Sequence, residues 1–237
     1  MNSRLALLSL LLLSPCMAQI PDASSQLLVV TTANWSDLHA RAQRYERRGH
    51  GFHKVGPSFA VVVGQTGLGW GRGVESGASA DEPIKQEGDG KSPAGAFELG
   101  TAFGYEITAV TRLPYLPLTP AIECVDDSHS AHYNELTDGG SAPRDWSSSE
   151  QMHRNDELYH YGVFVKHNTP PLANRGSCIF LHIWRNKDSG TVGCTAMDRS
   201  NILMLLAWFD PRRQPLLVQM PTAQYQRYRN SWNLPPL

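Results

Sequence analysis

His182 and Cys194 stand twelve residues apart within Gly176–Met197 (GSCIFLHIWRNKDSGTVGCTAM). His182 lies near the end of an apolar run. Cys194 follows a polar loop that closes on Gly193. Such a pair can meet in space as base and nucleophile. A thiol of ordinary pKa is only a few per cent thiolate at neutral pH. A neighbouring imidazole lowers that pKa and stores the proton for a leaving amine. Glycine before the nucleophile lets backbone approach a substrate, so that the Gly193 and Cys194 N–H groups can face a developing oxyanion. On residue types alone, the pattern fits equally a buried cysteine beside a hydrogen-bonded strand histidine. Trp184 and Arg185 lie in the loop between the two and are candidates for substrate contact.

These residues need strands and turns to hold them. Gln26–Thr32 (QLLVVTT), Phe59–Val63, Tyr161–Lys166, Cys178–Ile183 and Leu216–Gln219 read as strands from their apolar, β-branched or alternating patterns. A helix is predicted after the first strand, capped by Asn34 or Ser36, with Trp35, Leu38, Ala42 and Tyr45 on one face and Gly49 closing it. A second helix is predicted from Asp198 or Ser200, with Ile202, Leu205, Leu206 and Phe209 inward and Pro211 as the stop. The glycine-rich segment 67–73 lacks the strand-to-helix context of a phosphate loop and reads as a turn. Residues 87–95 read as a loop, with a strand from Ala96. Residues 111–157 read as irregular and polar, with a lid over the site as one placement. The tail 221–237 carries Tyr225, Tyr228 and Trp232 and is expected to pack back on the body. The fold class is therefore mostly β with a few helices.

Arg4, the apolar run Leu5–Leu13 and a small Ala18 read as a cleaved signal peptide over residues 1–18. That apolar run is far shorter than the ~20 residues of a membrane span. Pro15 before Cys16 disfavours the alternative of a lipoprotein anchored there. The remainder, 19–237, reads as a single domain with no interior linker. The formal charge of the whole chain is near zero (net −1), which offers no basic footprint for nucleic acid. Export leaves Cys124, Cys178 and Cys194. An odd count in an oxidising compartment suggests one bridge and one free thiol. Cys124–Cys178 is the pair expected, with three reduced thiols as the alternative. The spacings of Cys124, His129, His132 and His153 match no zinc motif, so no metal and no cofactor is expected.

The His-loop-Gly-Cys segment resembles the catalytic core of the YkuD-type L,D-transpeptidases, cysteine enzymes of the bacterial cell wall. Gly88-Asp-Gly-Lys-Ser-Pro-Ala-Gly-Ala-Phe (88–97) is similar to that family's conserved upstream segment. The two blocks stand in the family's order, and the resemblance covers roughly residues 25–220. It implies the YkuD-like sandwich or barrel fold. It implies Cys194 as acyl-accepting nucleophile, His182 as base, and Gly193 with Cys194 as oxyanion donors. A backbone carbonyl, here that of Ile183, would orient the base. Ser92, Pro93 and Gly95 would flank the substrate. Implied partners are peptidoglycan stem peptides in a periplasmic or otherwise extracytoplasmic, cell-wall-associated setting. The implied reaction is L,D-transpeptidation of a stem tetrapeptide. L,D-carboxypeptidase action is the alternative on the same acyl-enzyme, and a non-catalytic peptidoglycan-binding module is the third reading. Three positions depart from the family pattern. Val192 replaces a histidine, Thr191 a serine, and Ala196 a substrate-binding arginine. Arg185 or Arg175 would have to supply that cation.

Overall fold

The computed structural model describes residues 20–49, 51–141 and 143–237. The expected signal peptide, residues 1–18, lies outside them. In chain order the strands are β1 (Gln26–Thr32), β2 (His39–Arg48), β3 (Gly51–Val62), β4 (Leu68–Trp70), β5 (Ser92–Gly104), β6 (Tyr115–Pro117) and β7 (Ile122–Val125). There follow β8 (Leu136–Asp138), β9 (Ser149–Gln151), β10 (Tyr161–Val165), β11 (Phe180–Ile183) and β12 (Thr195–Met197). The helix α1 (Arg199–Trp208) comes next, then β13 (Leu216–Pro221) and the short helix α2 (Thr222–Tyr228). The protein is thus mostly β. Among the described residues, no helix is long and apolar enough to cross a membrane.

The main sheet runs β10-β11-β12-β3-β2-β1-β13-β5, and β10 pairs again with β5, so the sheet returns on itself. β5 makes this possible by changing partner along its length. Its residues Gly95–Glu98 face β13, whereas Leu99–Gly104 face β10. The strand was expected to begin at Ala96, but it begins at Ser92, where β4 pairs with it. Closure removes the exposed edges that would otherwise template aggregation. β1 lies between β2, antiparallel, and β13, parallel, and is buried almost throughout, so both of its faces are covered.

The helix expected after β1 is a strand, β2. Its burial begins as an alternation at Ala40 and Ala42, then shifts so that Tyr45 is buried next. The register against β3 breaks between Ala42 and Arg44. An irregularity of this kind turns a period of two into a local step of three. Ala42 and Tyr45 therefore carry helical spacing while sitting in a sheet. β3 also starts eight residues before the expected Phe59.

Residues 111–157 are more ordered than their composition suggests. β7, β8 and β9 form a small three-stranded sheet in the order β8-β7-β9. A disulfide between Cys124 on β7 and Cys178, before β11, fastens it to the barrel, as expected. Cys178 has a positive φ of 54° and is not yet in the strand, which begins at Phe180 rather than Cys178. The main core joins the buried residues of the closed sheet with those of α1, α2 and the tail. A second cluster, including Phe103, Met152, Tyr159, Phe180 and Cys194, lies beneath the small sheet. Asp198 caps α1, accepting from the Ser200 N–H at 2.9 Å. The tail packs back as expected, with Tyr225 and Trp232 fully buried.

Candidate active site

β11 and β12 run parallel, with Leu181 opposite Thr195 and His182 opposite Ala196. Laterally paired residues share a face, and residues two apart share it too. Cys194 precedes Ala196 by two, so it comes to the same face as His182, one step along. Both line one cleft of about 200 Å3, together with Trp184, Arg185, Glu150 and Arg154. Cys194 is also exposed to a second cleft of about 200 Å3, lined by Lys85, Glu87, Asp126 and Glu150. Glu150 and Val192 border both clefts, one from the small sheet and one from the loop before Cys194.

Cys194 is the free cysteine among the described residues and is buried. Its sulfur accepts from the Phe180 N–H at 3.3 Å, and its thiol donates to the Cys178 carbonyl at 3.6 Å. Burial raises the thiol pKa strongly, and the nearby Glu150 charge adds to this; the Phe180 N–H and Lys85 oppose it. The His182 Nδ1–H donates to the Ile183 carbonyl at 2.7 Å. A carbonyl only accepts, so this bond fixes the tautomer and leaves the Nε2 lone pair as the base. Burial lowers the His182 pKa to about 4, with a further contribution from the Arg154 charge. At neutral pH the resting site therefore holds a neutral thiol and a neutral imidazole.

The backbone of Cys194 is held from two sides. The Ser92 hydroxyl donates to the Cys194 carbonyl at 2.7 Å and accepts from the Gly64 N–H at 2.8 Å. The Thr191 hydroxyl donates to the same carbonyl at 2.6 Å and accepts from the Gly193 N–H at 3.1 Å. Thr191 is itself anchored, its N–H donating to the Val63 carbonyl at 3.0 Å. The Gly193 N–H is thus engaged locally.

Trp184 and Arg185 line the first cleft. Ser92, Pro93 and Gly95 border neither cleft. Ser92 is fully buried. The Pro93 carbonyl accepts from Gln219, whose Oε1 accepts from Thr195 at 2.7 Å, so this residue braces β12. Gly95 has φ +141°, and a Cβ there would meet the Glu75 carbonyl at 2.7 Å. Of the two arginines considered as replacements for the family cation, Arg175 lines a separate hollow beside Asn174. The N-terminal turn of α1 borders neither cleft. Among the described residues no group of histidines, cysteines and acids could hold a metal.

Glu150, Arg154 and Tyr159 were not singled out in the sequence. The Tyr159 hydroxyl donates to Glu150 Oε1 at 2.5 Å, and its ring meets the His182 ring edge-on at 5.1 Å. Arg154 lies over the Tyr159 ring and pairs with Asp156 at 3.0 Å. Burial raises the Glu150 pKa, the Asp126 charge adds to this, and Tyr159 and Arg154 oppose it. No local pattern marks Glu150 in Ser147-Ser-Ser-Glu-Gln. What brings it to the site is the register of β9 on β7, which sets Glu150 opposite Cys124 and so beside the disulfide.

No family model, curated protein or solved structure matches this chain.

Proposed function

We propose that this protein is a cysteine acyltransferase of the L,D-transpeptidase type, acting outside the cytoplasm on peptidoglycan stem peptides. The observation that carries the reading is the free Cys194 sharing a cleft with a tautomer-fixed His182. The family resemblance of residues 88–97 and 182–194 supplies the substrate class.

In this reading the substrate carbonyl enters above Cys194. His182 Nε2 takes the thiol proton as sulfur attacks the carbonyl carbon of the third stem residue. The resting pair is neutral, so the proton moves only when a carbonyl is present to accept the charge. The Cys194 N–H is the oxyanion donor nearest the reacting atom, because Thr191 holds that of Gly193. Collapse breaks the peptide C–N bond, and His182 returns the proton to the departing D-alanine amine. A thioester remains on Cys194. Arg154 and Arg185 in the first cleft suit the carboxylate of the donor stem, in place of the arginine that Ala196 replaces. An amine or water then resolves the thioester.

The test is incubation with a disaccharide tetrapeptide, followed by mass spectrometry of protein and products. A covalent adduct on Cys194, with cross-linked dimers or tripeptides released, supports the reading. Unchanged activity in Cys194→Ala sinks it.

A further inference from the structure

The two clefts that meet at Cys194 differ in charge. Arg154 and Arg185 line the first, whereas Glu87, Asp126 and Lys85 line the second. Glu150 is the carboxylate that borders both. Its neighbours are already committed. Glu87 Oε2 accepts from the Ser177 and Tyr133 hydroxyls, and Asp126 accepts from Ser148. Lys85 pairs with Asp89. The hydrogen bond of Glu150 and its ion pair with Arg154, at 3.7 Å, both fall on Oε1. Its side chain keeps 23% of its surface exposed, so a ligand in the cleft can reach it.

We infer that Glu150 is the residue that selects an amine over water in the second half of the reaction, binding the acyl acceptor as an ammonium and removing its extra proton. This rests on the acyl-enzyme reading above. An amine arrives protonated, with one proton more than water-mediated cleavage must handle. Glu150 carboxylate takes that proton. The free amine attacks the thioester carbonyl, the C–N bond forms and the C–S bond breaks. The second N–H proton passes through His182 Nε2 to the departing sulfur, restoring the thiol. The Glu150 carboxyl then releases its proton to solvent. Hydrolysis of the same thioester calls for no such group, because water brings no excess proton. Tyr159, Arg154, Asp126 and Cys194 are the titratable and charged groups around the Glu150 carboxyl. Asp126 lifts its proton affinity, and burial acts in the same direction.

The experiment forms the acyl-enzyme on the full chain with disaccharide tetrapeptide, then offers two acceptors separately. One is the amide of Nα-acetyl-lysine, an ammonium at neutral pH, and the other is hydroxylamine, which is uncharged there. The ratio of transfer to hydrolysis is measured by mass spectrometry for wild type, Glu150→Gln and Glu150→Asp. For the lysine amide the ratio is expected to fall about 100-fold in Glu150→Gln, the lower end of general-base effects. For hydroxylamine it should change little, and Glu150→Asp should recover part of the loss. The wild-type ratio for the lysine amide should also fall on acidification, a readout that needs no variant. Equal loss for both acceptors, or a flat wild-type profile, overturns the role of Glu150. Absence of any adduct on wild type overturns the acyl-enzyme reading itself.

Discussion

The Cys194 carbonyl has two hydroxyl donors, and this makes a specific forecast about coupled substitutions. Ser92→Ala removes a bond to that carbonyl and also orphans the buried Gly64 N–H. A neutral bond contributes about 1 kcal/mol and an orphaned buried donor costs about 1–3 kcal/mol, so the loss should be about 3 kcal/mol. Thr191→Val keeps shape but removes the other donor and the acceptor for Gly193; Thr191 is half-buried, so about 1 kcal/mol is expected. Each single variant leaves the carbonyl one donor. The double variant leaves it none. The double should therefore exceed the sum of the singles by about 1 kcal/mol, within the range for residues sharing a partner. Urea denaturation of the four proteins measures this, and the Ser92→Ala melting point should drop by roughly 6–12 °C for a domain of this size. Additivity within about 0.3 kcal/mol would refute the shared acceptor. A Ser92→Ala protein of native stability with altered substrate KM would instead return Ser92 to the substrate surface.

Acid should destabilise the fold. His182 and His167 are both held to about 4 by burial, against about 6.5 in the unfolded chain. Between those values the unfolded state binds more protons, so stability falls as pH drops from 6.5 to 4. Each histidine contributes at most about 3 kcal/mol, and His167→Phe should shrink the slope seen in urea titrations at stepped pH. Reducing the Cys124–Cys178 bridge, which closes a span of 54 residues, should cost about 4 kcal/mol by loop entropy. Activity should fall with it, because Glu150 sits opposite Cys124. A melt unchanged by reductant, with free thiols verified by mass, contradicts this. A carbapenem offers a strained carbonyl and should add its mass to wild type but not to Cys194→Ala; an unchanged wild-type mass counts against a competent site.

The chemistry-bearing pair was legible because both members lie on a short strand–loop–strand unit. His182, Cys194 and the Asp198 cap can each be placed from local pattern. β1 and the α1 face were legible for the same reason. β2 was not, because a register shift gave Ala42 and Tyr45 helical spacing. The partners of the pair were hidden for a different reason. Glu150 arrives through the pairing of β9 with β7, and Arg154 and Tyr159 follow in the connection to β10, all in polar chain where composition carries no period. The bonds of Ser92 and Pro93 were not legible because proximity to the site does not say which side of the backbone a residue supports. Ser92 holds the nucleophile's own carbonyl.

β13 lies between β1 and β5 in the closed sheet, though nearly 190 residues separate it from β1 along the chain. In the native sheet those two strands flank a gap one strand wide, which β13 fills. Nothing can fill it until residue 216 has been made. The closed sheet is therefore complete only once β13 has been made.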